Sequence, residues 1–249
     1  MRDEERDWRS AAERLLAGQD PGGPPRMGYL RRAPAGIRAE GGTLLCLSAS
    51  FNPLTVAHLA LVEAASRLAP SDETLLLLAQ ANVDKPVVGF PLADRLALLA
   101  RYAAGRPTVS VAAASHGRFV DKAAAIRVHY PEKTRLLFVL GFDTLVRLFD
   151  PRYYAAMETD LACLFAAAEI VAANREPSPP AAVAAFLDRP EVRPFREQIH
   201  PIRLPDPLAA VSATAVRERL AQGESPTGLV PPEILPFLGP QPPGVSGSP

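Results

Sequence analysis

Between residues 41 and 173, short runs of consecutive apolar residues alternate with segments whose apolar residues recur at helical spacing. No other feature restricts the fold as much. Residues 43–50 (TLLCLSAS), 73–79 (ETLLLLA), 108–112 (TVSVA) and 135–140 (RLLFVL) read as strands buried on both faces, because a half-exposed strand would alternate apolar with polar side chains. Residues 54–68, 92–104 and 122–130 read as helices, and residues 161–165 followed by 169–173 supply a further helix and an outer strand. Repeated strand–helix units predict an α/β fold: a doubly wound, Rossmann-like parallel sheet with helices on both faces, followed by a C-terminal helical subdomain. Such sheets bind ligands outside the carboxyl ends of their strands. Chemistry is therefore expected just after Ser50 and just after Leu140.

Proline marks the limits of this unit. The chain has 249 residues and 27 prolines, about twice the usual share of roughly 5%, yet only seven lie between residues 37 and 176. Trp8, Ala12, Leu15 and Leu16 give residues 4–17 an amphipathic helical pattern that needs a surface to pack on. Residues 20–36 read as a linker or strapping arm. The expected division is an N-terminal helix and Pro/Gly-rich arm over 1–42, the main folded domain over 43–238, and a disordered tail over 239–249. Lys and Arg together number 27, as do Asp and Glu, which argues against holding nucleic acid or an anionic membrane by a general positive field. The N-terminus mixes charges of both signs and lacks an apolar core, so it does not read as a secretory signal. The longest weakly polar run, 161–173, falls short of the roughly 20 residues of a membrane span. A cytoplasmic location is expected, with Cys46 and Cys163 as buried, inert thiols because both lie in apolar stretches without metal-site spacing.

After the first strand comes SASFNPLTVAH, residues 48–58. Small residues let backbone amides approach a ligand. Thr55 and His58, three apart at a helix start, can face one point where the helix dipole and free N–H groups favour an anion. A histidine there also reads as a structural hydrogen-bonding residue. Downstream, VSATAVR (211–217) opens another helix, with Ser212 as a natural N-cap and Thr214 in the first turn. Together with Arg217 these hydroxyls are also the donors a polyphosphate wants.

The two segments together resemble a known family. SASFNPLTVAH resembles the (G/S)-x-F-x-P-x-(H/T)-x-G-H signature of the HxGH nucleotidyltransferases, VSATAVR resembles their ISxTxxR signature, and GFDTL (141–145) resembles their GxD(S/T)L segment. The tail over 212–238 is similar to the end of bacterial nicotinate mononucleotide adenylyltransferases. SFNPLTVAHL with GFDTLVRLFDPRYY is similar to a fungal-type branch of nicotinamide mononucleotide adenylyltransferase-like proteins. The resemblance spans about residues 43–238 and implies a sheet of the nucleotidyltransferase type. It implies transfer of AMP from ATP to the 5′-phosphate of nicotinamide or nicotinate mononucleotide, with release of pyrophosphate, in NAD biosynthesis. It places His58 on the α-phosphate and Thr55 where many members have a first His. Ser50, Phe51 and Asn52 would line the ATP site, Gly141 and Asp143 would contact the adenosine ribose, and Ser212, Thr214 and Arg217 would hold the outer phosphates. Mg²⁺ would bridge phosphate oxygens with few or no protein ligands. A homo-oligomer is compatible with the same resemblance.

Lys85 follows the second strand, and Arg118 and Lys122 lie in SHGRFVDK after the third. These are the candidates for binding the acceptor, with Tyr153, from the group Phe149, Tyr153 and Tyr154, to stack on a pyridine ring. All four also read as ordinary surface or packing residues. His116, His129 and His200 read as structural. Two departures from the family pattern stand out: Ala57 replaces the motif's last Gly, and FVDKAAAI occupies the place of a Tyr- and Thr-rich segment in the bacterial nicotinate enzymes. Two alternatives stay open. One is another HxGH nucleotidyltransferase, of cytidylyltransferase or phosphopantetheine adenylyltransferase type. The other is an ATP-binding or ATP-hydrolysing regulatory protein without acceptor specificity.

Overall fold

The apolar runs become neighbouring strands of one sheet in a computed structural model that describes residues 2–80, 89–174, 180–204, 206–209 and 211–239. In chain order the elements are α1 (Arg2–Ala17), β1 (Met27–Arg31), β2 (Thr43–Ser48), α2 (Val56–Leu68), β3 (Glu73–Ala79), α3 (Leu92–Ala104), β4 (Val109–Ala114) and α4 (Phe119–Arg127). There follow β5 (Arg135–Gly141), α5 (Phe142–Leu148), α6 (Met157–Ala167), β6 (Glu169–Asn174), α7 (Pro180–Leu187), β7 (Ile199–Arg203), α8 (Asp206–Ala209) and α9 (Ala213–Ala221). Among the described residues the sheet has seven strands in the order β1-β4-β3-β2-β5-β6-β7. β1 is antiparallel to β4, and the remaining neighbours are parallel. The chain moves from β2 outward to β4 and then returns to β5 on the other side of β2. The doubly wound sheet thus reverses its strand order between β2 and β5, opening a crevice at their carboxyl ends.

Both faces of the central strands are covered. Leu45, Leu47, Leu76 and Leu78 join a core with α1, α2, α3 and α9, while Leu44, Cys46, Leu75 and Leu77 join a second core under α4, α5, α6 and α7. Burying each such leucine contributes about 1.5–3 kcal/mol. The C-terminal segment belongs to the first core rather than standing apart. Val216, Leu220, Val230, Ile234 and Leu238 are buried in it, Arg106 pairs with Glu233 at 2.6 Å, and the Arg101 guanidinium lies 3.5 Å from the Phe237 ring centre.

Two Pro-rich regions carry more structure than their composition indicates. Within the segment read as a linker or arm, β1 pairs with β4, and ahead of it the expected helix α1 packs on α3, with an Arg9–Asp94 ion pair at 3.2 Å. Residues 177–207 supply α7 and the outer strand β7, which bonds only β6 among the described residues. An edge strand tolerates Pro201 because one of its sides makes no ladder. Cys46 is buried as expected, but Cys163 is exposed. No described helix is long and apolar enough to cross a membrane. Residues 240–249 of the expected tail lie outside the described residues.

At the amino ends of β5, β6 and β7, Arg135 grips Glu169 with two hydrogen bonds of 2.7 Å, and His200 Nε2 lies 2.6 Å from the same carboxylate. The Arg135 guanidinium, aided by His200, holds Glu169 down from the ordinary 4.5 to about 2. A depressed carboxyl stabilises the fold fully above its unfolded value and loses that contribution as pH falls through its folded value. Urea unfolding should therefore show stability falling from about pH 4.5 toward about pH 2, and Glu169→Gln should flatten that fall.

Candidate active site

The loop that leaves β2 is built to present one histidine. Phe51 has φ of 42°, a conformation that is uncommon for a bulky side chain. Its ring is fully buried, and it lies 5.3 Å from the His58 ring. The Asn52–Pro53 bond is cis. Thr55 then caps α2. Its N–H donates to His58 Nδ1 at 3.0 Å, its Oγ1 lies 2.8 Å from the same nitrogen, and its Oγ1 accepts from His58 N–H at 3.4 Å. Nδ1 is occupied as an acceptor, so the neutral ring carries its proton on Nε2 and offers a donor there. Thr55 itself is 0% exposed. Its bonds hold the His58 ring in place.

Arg217, 165 residues from Asn52, donates to the Asn52 carbonyl at 2.8 Å and to Thr214 Oγ1 at 3.1 Å. Ser212 caps α9 by accepting from Ala215 N–H at 3.1 Å. The cap reading of Ser212 holds, and its hydroxyl hydrogen is not used in that bond. Asn52 Oδ1 accepts from Phe90 N–H at 2.9 Å, so Asn52 ties the loop both to the turn before α3 and to α9. Gly89 sits in that turn with φ of +90°, where a Cβ would fall 2.7 Å from both Arg217 Cδ and Asn52 Oδ1. Ser50 is exposed beside them.

Arg95 was missed in the sequence. It is 2% exposed and braces the loop by donating to Phe90 O at 2.6 Å and Ser50 O at 3.2 Å. Burial, then the charge of Arg217, pull its guanidinium down to about 10. The signal was present, since Arg95 interrupts the apolar helical stripe of Leu92, Leu96 and Leu99. Two guanidiniums that repel each other beside a helix N-terminus favour an incoming anion.

Across the crevice, Gly141 ends β5 and caps α5, and the Asp143 carboxylate is exposed in the first turn. The acceptor candidates are less uniform. Arg118 commits its guanidinium to Asp121 at 2.9 and 3.0 Å and to Asp160 at 2.8 Å. Lys122 is buried in the first turn of α4. Tyr153 lies in a short 3₁₀ turn, 5.9 Å from the Arg152 guanidinium, while Phe149 is core and the Tyr154 hydroxyl donates to Leu148 O at 2.6 Å. Lys85 lies outside the described residues. The three other histidines have structural partners: Ser115 Oγ for His116, Met27 O for His129, and Glu169 for His200. No cluster of three or more His, Cys, Asp or Glu side chains able to hold a metal occurs among the described residues.

Residues 47–219, which carry the β2 loop and the start of α9, match the cytidylyltransferase-like family. The chain belongs to this nucleotidyltransferase family. A Schizosaccharomyces pombe protein named as a nicotinamide mononucleotide adenylyltransferase is 30% identical over 76% of this chain and 81% of its own length. A Bordetella pertussis protein named as a nicotinate-nucleotide adenylyltransferase is 28% identical over 77% of this chain and 92% of its own length. In shape, the nucleotidyltransferase resembles the Plasmodium falciparum nicotinic acid mononucleotide adenylyltransferase complexed with NaAD. The TM-score is 0.54 at 14% identity, covering 78% of this chain and 95% of that one.

Arg217 gives the nucleotidyltransferase site a direct test. A charge-assisted hydrogen bond is worth about 1.5–3 kcal/mol, so Arg217→Ala should raise the ATP concentration for half-maximal turnover by roughly tenfold or more. An unchanged value would leave Arg217 as a brace for Asn52 alone.

Proposed function

We propose that the protein transfers the adenylyl group of ATP to the 5′-phosphate of a pyridine mononucleotide, nicotinate or nicotinamide, as a step in making NAD-type dinucleotides. The observation that carries this reading is the 2.8 Å bond from Arg217 to Asn52, which joins the helix of Ser212 and Thr214 to the loop that presents His58. An ionised acceptor phosphate needs no protein base. One of its oxygens attacks the α-phosphorus, the bond from that phosphorus to the bridging oxygen breaks, and the electron pair leaves with pyrophosphate. The protein's work is alignment and charge stabilisation. His58 donates from Nε2 to a non-bridging α-phosphate oxygen, and Thr55 holds the ring so that this nitrogen carries the hydrogen. Ser212, Thr214 and Arg217 hold the β- and γ-phosphates, with Arg95 adding positive charge behind the loop. Gly141 and Asp143 receive the adenosine ribose, the carboxylate accepting from its hydroxyls.

The side chains around the loop are cationic or neutral, a poor donor set for a resident hard cation, which prefers carboxylate oxygens. Mg²⁺ accordingly enters as MgATP, held through phosphate oxygens. We place the reaction in the cytoplasm, where ATP is abundant.

Purified protein with MgATP and, separately, nicotinamide mononucleotide, nicotinate mononucleotide and phosphopantetheine provides the test. Pyrophosphate and dinucleotide formed with a pyridine mononucleotide support the reading. Turnover confined to phosphopantetheine would overturn it.

A further inference from the structure

A second charged group lies near the start of α4, the helix that follows the carboxyl end of β4, on the other face of the sheet. Lys122 is only 6% exposed. Its Nζ rests 4.5 Å from the centre of the Phe119 ring, which packs edge-on against Phe138 at 5.1 Å. Phe138 of β5 is in register with Cys46 of β2, and the Cys46 thiol is close enough to act electrostatically on Lys122. The ammonium therefore lies over β2 and β5, the two strands between which the strand order reverses.

Among the described residues no carboxylate forms an ion pair with Lys122. Asp121, its neighbour in sequence, has both oxygens on Arg118, and Arg118 also takes Asp160. The helix increases the mismatch. α4 has no side-chain cap at its N-terminus, and Lys122 places a positive charge in the first turn, where the helix dipole favours a negative one. Burial draws the ammonium down to about 8, against the opposing pull of Asp121, as expected for a buried cation with no described carboxylate in contact. A buried, unpaired charge is costly, and an anionic group on a ligand relieves that cost. The phosphates of ATP are provided for elsewhere, because His58, Arg95 and Arg217 belong to α2, α3 and α9 on the opposite face.

We propose that Lys122 selects the acceptor, its ammonium pairing with the pyridine carboxylate of nicotinate mononucleotide so that the acid is adenylylated in preference to the amide. This rests on the adenylyl-transfer reading and adds which pyridine mononucleotide is taken. The two acceptors carry the same phosphate and ribose. They differ in one group, a charged carboxylate against a neutral carboxamide, and the amide leaves the buried ammonium unpaired.

The experiment measures kcat/KM for both mononucleotides at saturating MgATP in the wild type and in Lys122→Met. The wild type should favour the acid by about a hundredfold or more, the scale on which a buried polar group rejects a substrate that fails to pair with it. Lys122→Met should lose most of that preference, with the amide value changing less than about threefold, and should melt no lower than wild type because a buried charge has been removed. Equal losses for both acceptors would overturn the proposal, since they would assign Lys122 to the shared phosphate or to folding. A wild type that uses the amide as well as the acid would also overturn it. Turnover with neither mononucleotide would overturn the adenylyl-transfer reading itself. Binding of each mononucleotide to the wild type, by calorimetry, gives a readout independent of the variant: tighter binding of the acid supports the proposal, and equal affinities contradict it.

Discussion

His58→Gln should reduce single-turnover adenylyl transfer by about a hundredfold or more, the loss expected when a donor to developing charge is removed, and should leave the fold nearly unchanged. The choice of glutamine follows from the local geometry. His58 holds two roles, because its Nδ1 accepts from Thr55 N–H while Thr55 Oγ1 accepts from its own N–H. That reciprocal pair closes a capping box at the start of α2, and glutamine is one of the residues that completes such a box. His58→Ala would remove donor and cap together, mixing lost chemistry with about 0.5–2 kcal/mol of lost helix stability. Thr55→Val tests the same unit from the other side. It keeps volume but removes the hydroxyl, leaving only the backbone N–H to orient the imidazole. Wild-type turnover in His58→Gln, with an unchanged melting temperature, would show that this ring is a helix cap and nothing more.

Glu73→Ala should destabilise the fold by about 3–5 kcal/mol, because burying donors without acceptors costs about 1–3 kcal/mol each. Glu73 is 0% exposed and opens β3 at the end of the sheet away from the crevice. It accepts from Ser110 Oγ at 2.5 Å, Tyr130 OH at 2.6 Å and Ile37 N–H at 2.8 Å. Ser110 Oγ in turn accepts from Ala33 N–H at 2.8 Å. The arm backbone comes so close that a Cβ at Gly36 would fall 2.3 Å from Glu73 Oε2. One carboxylate thus ties the chain between β1 and β2 to β3, β4 and the turn after α4. Urea unfolding measures the loss, and trypsin cleavage after Arg31, Arg32 or Arg38 should accelerate as the arm detaches. A loss under about 1 kcal/mol, the worth of an ordinary surface contact, would mean that the arm is held chiefly by α1 and β1.

The central fold was legible because strands buried on both faces leave continuous apolar runs. The run 73–79 and the helix 92–104 coincide with β3 and α3. The outer strands were not legible for the converse reason. Met27–Arg31 and Ile199–Arg203 each bond one neighbour, carry polar residues, and sit among prolines and glycines. The role of the β2 loop was read from a resemblance, but what each residue does there depends on contacts that sequence spacing does not encode. Thr55 is buried under His58, and Asn52 anchors Phe90 and Arg217. The third βα junction shows the same limit. Reading 122–130 as the helix left residues 115–122 as a polar loop, whereas α4 begins at Phe119 and draws Lys122 into the core. Arg118, read as a candidate for binding the acceptor, pairs with Asp160 on α6, a partner 42 residues away.

The central claim, that the β2 loop and α9 form a site for attack at the α-phosphorus, is tested most directly with MgATP labelled at that phosphorus. The protein is incubated with a pyridine mononucleotide, and both the labelled product and the released phosphate are followed. The result expected is label in the dinucleotide with an equal amount of pyrophosphate, dependent on the acceptor and formed about a hundredfold more slowly in His58→Gln. Orthophosphate released from the γ-position at the same rate with or without acceptor, the label remaining in ADP, would contradict it.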